Sequence, residues 1–257
     1  EYVIPNVPVR DPKKLTPEEK EAIKEAVKKA NTREDGVSKL PNGTGYNDGI
    51  PAFIEVDDQG NVKIISGNDV EVDWDSSGNP IVQKNDDGTV KVEAGKENNV
   101  AKFEKEEVLE NKAPDAPTIT PDADKGEITI SPNPLDTDAK KIEVKYTDPD
   151  GNPKTEIIEK EDGENGKWST PEGSKVTVNP DTGVVTIKDS DIKNKTDVSA
   201  TVTDNGGIAN NDKEKKTSDN KSETIKIYPK KPEIKVDDKT GDVTITPVSY
   251  THLTLPT

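Results

Sequence analysis

Two stretches of this chain are copies of one another. Ala116 to Pro132, APTITPDADKGEITISP, returns as Lys231 to Pro247, KPEIKVDDKTGDVTITP, with no gap in the alignment. Pro117 falls on Pro232, Ile119 on Ile234, Asp122 on Asp237, Gly126 on Gly241 and Ile130 on Ile245, a constant offset of 115 residues. A period of that length exceeds a solenoid repeat and is what one small β domain per repeat gives, so the pattern predicts a tandem array. Nothing in the repeated residues names a ligand.

The interval inside one period reads as strand. Glu127 to Ser131, Lys141 to Tyr146, Lys154 to Glu159, Lys175 to Val178, Val184 to Ile187, Val198 to Thr203 and Glu223 to Tyr228 alternate apolar with polar residues. Turns such as DPDGNP and NPDTG join them. About seven short strands in about 115 residues predict an immunoglobulin-like β-sandwich over 113–229. Residues 230–247 then read as the start of a next repeat.

Ahead of the boundary at Lys112-Ala113-Pro114 the pattern differs. Glu1 to Asp11 is extended, with Pro5, Pro8 and Pro12 opposing helix, and reads as a linker or edge strand. LTPEEKEAIKEAVKKAN carries the signals of a helix start: Thr16 as N-cap, Pro17 in the first helical position and Glu19 closing a capping box. Ile23, Ala26, Val27 and Ala30 form one narrow apolar stripe, so the helix is expected to lie on a sheet whose other side is wet. Strands are expected at Phe53 to Val56, Val62 to Ile65, Val70 to Trp74, Pro80 to Gln83 and Thr89 to Val92, with Gly60 turning the first hairpin. The run Asn99 to Lys112 fits neither period. Residues 1–112 therefore read as a small α+β domain, and the chain as a whole as mainly β.

Composition narrows the function classes. With 52 acidic against 36 basic residues and a net charge of -16, the surface repels phosphate backbones and anionic lipid, which argues against nucleic-acid and peripheral membrane binding. Only 28% of residues are hydrophobic and 4% aromatic, yet they fall in alternating runs between turn signals, which points to thin-cored β domains rather than disorder. No apolar window is long enough to span a membrane, and no leader of a charged then apolar kind is seen. The absence of Cys removes disulfides and thiol chemistry, and fits an exported protein from a cell that does not rely on disulfides.

Candidate chemistry is sparse. Asp148, Asp150 and Asn152, in DPDGN, have the oxygen spacing of half a calcium loop and are the candidate metal ligands, with calcium as a structural cation. The same residues stand where a hairpin must turn, and no bidentate Glu follows six residues beyond the Gly. Trp74 and Trp168 could stack a sugar ring, but each adjoins a strand and is expected to fill a core. Acids are everywhere, though no pair is set in an apolar context that would raise a pKa. The single His, His252, and the absence of Cys leave no triad or zinc site, and no GxxxxGK[ST] loop is present. No catalytic and no cofactor-binding residue is expected.

Two resemblances add to this. VPVRDPKKLTPEEKEAIKEAVKKAN, with LPNGT and the DDQGNVKI hairpin, resembles the long Rib-type repeats of Gram-positive cell-wall surface proteins. The likeness runs from residue 3 to 65. Beyond it, those repeats close on a tyrosine-proline-aspartate-glycine turn, where this chain has Trp74-Asp75-Ser76-Ser77-Gly78. VKYTDPDGNPKT, GKWS, VTVNPDTGVVTI and SATVTDNGG are similar to the bacterial immunoglobulin-like repeats of large surface adhesins, except that a polar insertion, Asn205 to Asn220, replaces a short turn. The resemblance implies an extracellular, cell-wall-anchored protein with neighbouring repeats as partners. It leaves two readings: a stalk that projects a distal adhesive region, or an adhesive module that binds a host protein or glycan through sandwich-end loops. Related modules also carry a Lys to Asn isopeptide bond, but the sequence identifies no pair.

The last stretch departs from everything before it. Val248 to Thr257, VSYTHLTLPT, has no charge and resembles the in-frame translation of a transposon-end adapter used in sequencing libraries; the alternative is a natural terminal strand. On the adapter reading the chain is a fragment cut at the start of a third domain. With Glu1 in place of a Met, its front is expected to be missing too.

Overall fold

The computed structural model describes residues 1–163, 165–208, 214–228 and 233–246. The expectation for 248–257 lies outside the described residues. The chain is mainly β, and its contacts divide it into two units. Unit 1 comprises Glu1–Pro114 with two later segments, Leu135–Asp138 and Asp204–Lys216; unit 2 comprises Asp115–Pro134, Ala139–Thr203 and Thr217–Thr257.

Unit 1 is a small α+β body. Helix α1 (Pro17–Ala30) begins where the sequence predicts, because Thr16 Oγ1 accepts the Glu19 amide while the Glu19 carboxylate accepts the Thr16 amide. The other Glu19 oxygen takes the Arg10 amide, which ties the preceding segment to the first turn. At its far end the helix stops on Asn31, a fully buried residue. Its Nδ2 donates to the carbonyls of Val27 and Val3, and its Oδ1 accepts the Val3 amide. One side chain thus caps the end of the helix and holds the segment that leads into β1 (Val7–Val9).

Ile23 and Val27 press the helix onto the sheet β2 (Phe53–Val56), β3 (Val62–Ile65) and β6 (Ala101–Phe103), where Val62 and Ile64 face them. The other face of this sheet is not wet as the helix pattern suggests. It carries a second cluster of Ile50, Ile65, Val70 and Val90, covered by the hairpin β4 (Val72–Trp74) and β5 (Pro80–Val82) and the segment after it. The predicted strand 89–92 makes only isolated bridges, Lys84 with Val90 and Val70 with Val92. The ambiguous run 99–112 resolves into β6, one turn of helix α2 (Lys105–Val108) and β7 (Leu109–Asn111). β7 pairs in parallel with β1 (Val7–Val9), which makes the N-terminal stretch a strand rather than a linker. Gly60 is required between β2 and β3: its φ is +93°, and a Cβ there would meet Leu109 Cδ1 at 2.5 Å.

Unit 2 is a two-sheet sandwich. One sheet runs β13 (Thr177–Val178), β14 (Val185–Lys188), β9 (Glu127–Ser131), β8 (Thr118–Asp122). The other runs β12 (Trp168–Ser169), β11 (Pro153–Lys160), β10 (Ala139–Thr147), β15 (Thr196–Asp204), β16 (Lys221–Ile225). Taken in chain order, the first sheet holds strands one, two, seven and six, and the second holds the third, fourth, eighth and ninth around its centre. That is the partition of an immunoglobulin-type sandwich. Alternation supplies many of the inward residues, as in β15, where Val198, Ala200 and Val202 are buried and their neighbours are not. Trp168 fills the core as expected. Gly183, at φ +73°, lies beneath it, and a Cβ would stand 2.8 Å from the indole.

A last hairpin, β17 (Glu233–Val236) and β18 (Val243–Thr246), follows in the chain.

Candidate functional site

The predicted calcium residues sit in one of three turns of the same chemistry. Asp57-x-x-Gly60-Asn61, Asp75-x-x-Gly78-Asn79 and Asp148-x-x-Gly151-Asn152 each close a hairpin. In each, the Asp Oδ1 accepts the backbone amide of the Asn, and the Asn Nδ2 donates to Oδ2, at 2.8, 2.9 and 3.3 Å respectively. The Gly takes positive φ, which no other residue adopts without strain. The structure therefore brings Asp148 and Asn152 together, and adds Lys154, whose Nζ stands 3.4 Å from Asp148 Oδ2. The backbone bond from Asn152, then its side chain and Lys154, hold the Asp148 carboxyl below the usual range. Asp150 stands exposed at the tip of the turn.

The two tryptophans part company. Trp168 is buried, but Trp74 is 46% exposed, contrary to the expectation that it fills a core. It ends a two-stranded hairpin, opposite Pro80 and beyond the cluster that Val72 and Val82 join, so there is no core at its position to fill.

A feature that sequence reasoning missed lies within unit 1. The sequence shows no carboxylate pair in an apolar context, yet the fold places Asp138 where its pKa is raised. Three strongly buried carboxylates, Asp11, Asp136 and Asp204, surround it. Each of the three is engaged: Asp11 accepts the Lys13 amide at 2.9 Å and the Thr137 hydroxyl at 2.7 Å, and Asp136 takes Arg10 Nη1 at 2.6 Å. Asp204 accepts the amides of Gly206 and Lys216 on one oxygen and Asn111 Nδ2 on the other. Asp138 Oδ2 and Asn111 Oδ1 have no hydrogen-bond partner although both atoms are buried. Burial, reinforced by the charges of Asp11, Asp204 and Asp136, raises the Asp138 carboxyl from 3.8 to about 8. It is a neutral acid at pH 7. Among the described residues no group of three or more His, Cys, Asp or Glu is arranged to hold a metal ion.

One groove, of about 360 Å³, opens on the face of the β2-β3-β6 sheet away from the helix. Ile65, Val90 and Val100 line it, and Lys63 and Lys102 enter it from directly opposed positions on β3 and β6. Like charges facing each other across a ladder oppose sheet formation. Glu55, directly opposite Lys63 on β2, and Glu97 line the same groove and offset that repulsion.

Comparison with known proteins gives one family. The model of the atypical Rib domain matches residues 1–85. That stretch is longer than the likeness read from the sequence and takes in the β4–β5 hairpin, where the expected closing turn was missing. Rib-type domains belong to surface proteins, and residues 1–85, about a third of the chain, are similar to a repeat module of that kind. No curated protein and no solved structure matches the chain. Among the described residues no helix is long and apolar enough to cross a membrane.

Proposed function

We propose that this chain is a non-catalytic stalk segment of a cell-wall-anchored bacterial surface protein, with neighbouring repeats as its partners and a distal adhesive region as its cargo. One observation carries the reading: the sequence repeat is also a structural repeat. Ile119 opposite Ile130 and Thr120 opposite Thr129 in β8–β9 recur as Ile234 opposite Ile245 and Lys235 opposite Thr244 in β17–β18. A chain that builds the same hairpin twice, 115 residues apart, beside a Rib-type module is organised for length. The acidic coat keeps such an array soluble and self-repelling.

The test is to display the chain on a cell wall beneath a head of known affinity. Deleting residues 113–229 should reduce capture of large beads by the head, and an unrelated sandwich of equal length should restore it. Failure of the unrelated sandwich to restore capture, or turnover of any glycan or peptide by the chain alone, overturns the stalk reading.

The second reading, an adhesive module, draws on the groove where Lys63 and Lys102 stand beside Glu55 and Glu97, which suits a polar glycan or peptide of a host surface. Direct binding of such a ligand by the immobilised chain, lost in Lys63→Ala with Lys102→Ala, would favour it.

A further inference from the structure

The hairpin β17–β18 shows an apolar face that no other described residue covers. Ile234, Val236, Val243 and Ile245 lie on one side of the two strands, and each is about 60% exposed, at 62, 59, 59 and 60%. Three of their counterparts in the first copy, Ile119, Ile128 and Ile130, are 7, 1 and 0% exposed, while Pro121, at the position of Val236, is exposed. The backbone is otherwise the same. Gly126 donates to the Asp122 carbonyl at 2.9 Å and Gly241 to Asp237 at 2.7 Å, with φ +68° and +73°. In the first copy β9 pairs along its outer edge with β14, Ile130 opposite Val185 and Ile128 opposite Ile187, while the apolar face packs in one core with Ile142, Val144, Val198 and Val202. In the second copy β18 has no further strand among the described residues.

We infer that the face and outer edge of β17–β18 form a docking element for one occupant: the remaining strands of a further sandwich repeat. Those strands supply a Val-x-Ile edge strand antiparallel to β18 and an inward Ile/Val sheet over Ile234, Val236, Val243 and Ile245. The first copy shows both parts of this occupant in place, in register with residues that the second copy repeats. An aqueous ligand or a nucleic acid does not match a flat aliphatic face with an open β edge, and a two-stranded ribbon alone is marginal in water. The inference rests on the tandem-array reading but concerns folding. It can fail while the stalk reading survives, because the display experiment does not involve these residues.

The experiment extends the full chain after Pro247 with a second copy of residues 133–228, in place of 248–257. Hydrogen exchange of the backbone amides of 234–246 should slow by roughly a hundredfold or more relative to the unextended chain, as local opening gives way to cooperative unfolding. Ile245→Asp should abolish that protection and leave the two-sheet sandwich of β8–β16 intact, while Thr244→Lys, on the opposite face, should keep it. A second variant needs no extension: writing residues 232–246 in place of 117–131 should leave the sandwich with one cooperative transition. Equal exchange with and without the extension overturns the inference, as does an added copy that folds when 233–246 is deleted, or loss of the sandwich in the exchanged variant. Self-association of the unextended chain, abolished by Ile245→Asp, would assign the face to a second copy of this chain and overturn it too.

Discussion

Replacing Asp138 by Asn should make unit 1 more stable at alkaline pH and leave it unchanged in acid. The native carboxyl has a folded pKa of about 8 against 3.8 in the unfolded chain, so between those values the folded state binds the extra proton. Stability from this group is therefore fully present below pH 3.8, falls steadily as pH rises through the window, and is lost above about 8. At about 1.36 kcal/mol for each tenfold change in proton affinity the whole effect would approach about 6 kcal/mol. Asp138 is only partly buried, and screening by water reduces this to an expected ~1–3 kcal/mol. For a body of this size that is roughly 3–10 °C in melting temperature. Asn has the shape of the neutral acid and no charge to bury beside Asp11, Asp136 and Asp204. The assay is thermal unfolding of the full chain and of Asp138→Asn from pH 4 to pH 9, in salt high enough to screen the net charge. The variant should lead by several degrees at pH 9 and converge with the native chain near pH 4. A difference that does not change with pH, or a native chain that leads at pH 9, would refute the reasoning. So would a rise at pH 9 produced by calcium in the native chain alone, since a cation rather than a proton would then neutralise the site.

Other expectations follow from single contacts. Asn31→Ala leaves the Val3 amide and the Val3 carbonyl without their partner and should cost about 1–3 kcal/mol in unit 1, read from urea unfolding. Gly183→Ala forces a Cβ into the Trp168 indole at a positive φ and should destabilise the sandwich by about 1–3 kcal/mol, with a red shift of Trp168 emission as the ring is displaced. Thr16→Ala removes the cap of α1 and should cost about 1 kcal/mol. If calcium binds at Asp148 and Asp150, it should raise the melting temperature of the native chain, and Asp148→Ala with Asp150→Ala should remove the shift; no shift in the native chain returns DPDGN to a plain turn.

What could be read from the sequence was local. The Thr16, Pro17 and Glu19 signal lies within four residues, and the structure uses all three as written. The turns at Asp57, Asp75 and Asp148 are closed by residues four positions on, so their composition alone announces them. The strands of unit 2 alternate because each has one wet and one dry face. The carboxylate cluster had no such signature. Asp11, Asn111, Asp138 and Asp204 are each isolated acids or amides in polar surroundings of sequence, and only the fold brings them together. The expected position of Trp74 failed for the same reason in reverse: alternation marks it as strand, but burial depends on what covers the strand, and at the end of β4 nothing does. The run 99–112 was unreadable because three elements of three or four residues each are too short to establish a period.

The two copies of the hairpin separate what sets register from what supplies stability. β8–β9 is covered by a sheet and β17–β18 is not, yet both pair the same positions, offset by 115 residues. Register therefore cannot come from the core in the second copy. It comes from the turn: the Gly126 and Gly241 amides close onto Asp122 and Asp237, and the Asp Oδ1 accepts the amide of Lys125 in one and of Thr240 in the other. Turn chemistry of this kind fixes pairing before any non-local contact forms. This matters for a chain that is only 4% aromatic, whose cores are thin and assemble mostly from Val and Ile over long sequence separations. With hairpins already in register, the entropic cost left to core assembly is that of bringing preformed ribbons together rather than of selecting among slipped pairings, which a one-residue shift would turn inside out. An array built from such repeats can then gain length one repeat at a time, each new hairpin presenting a finished face to the strands that follow it.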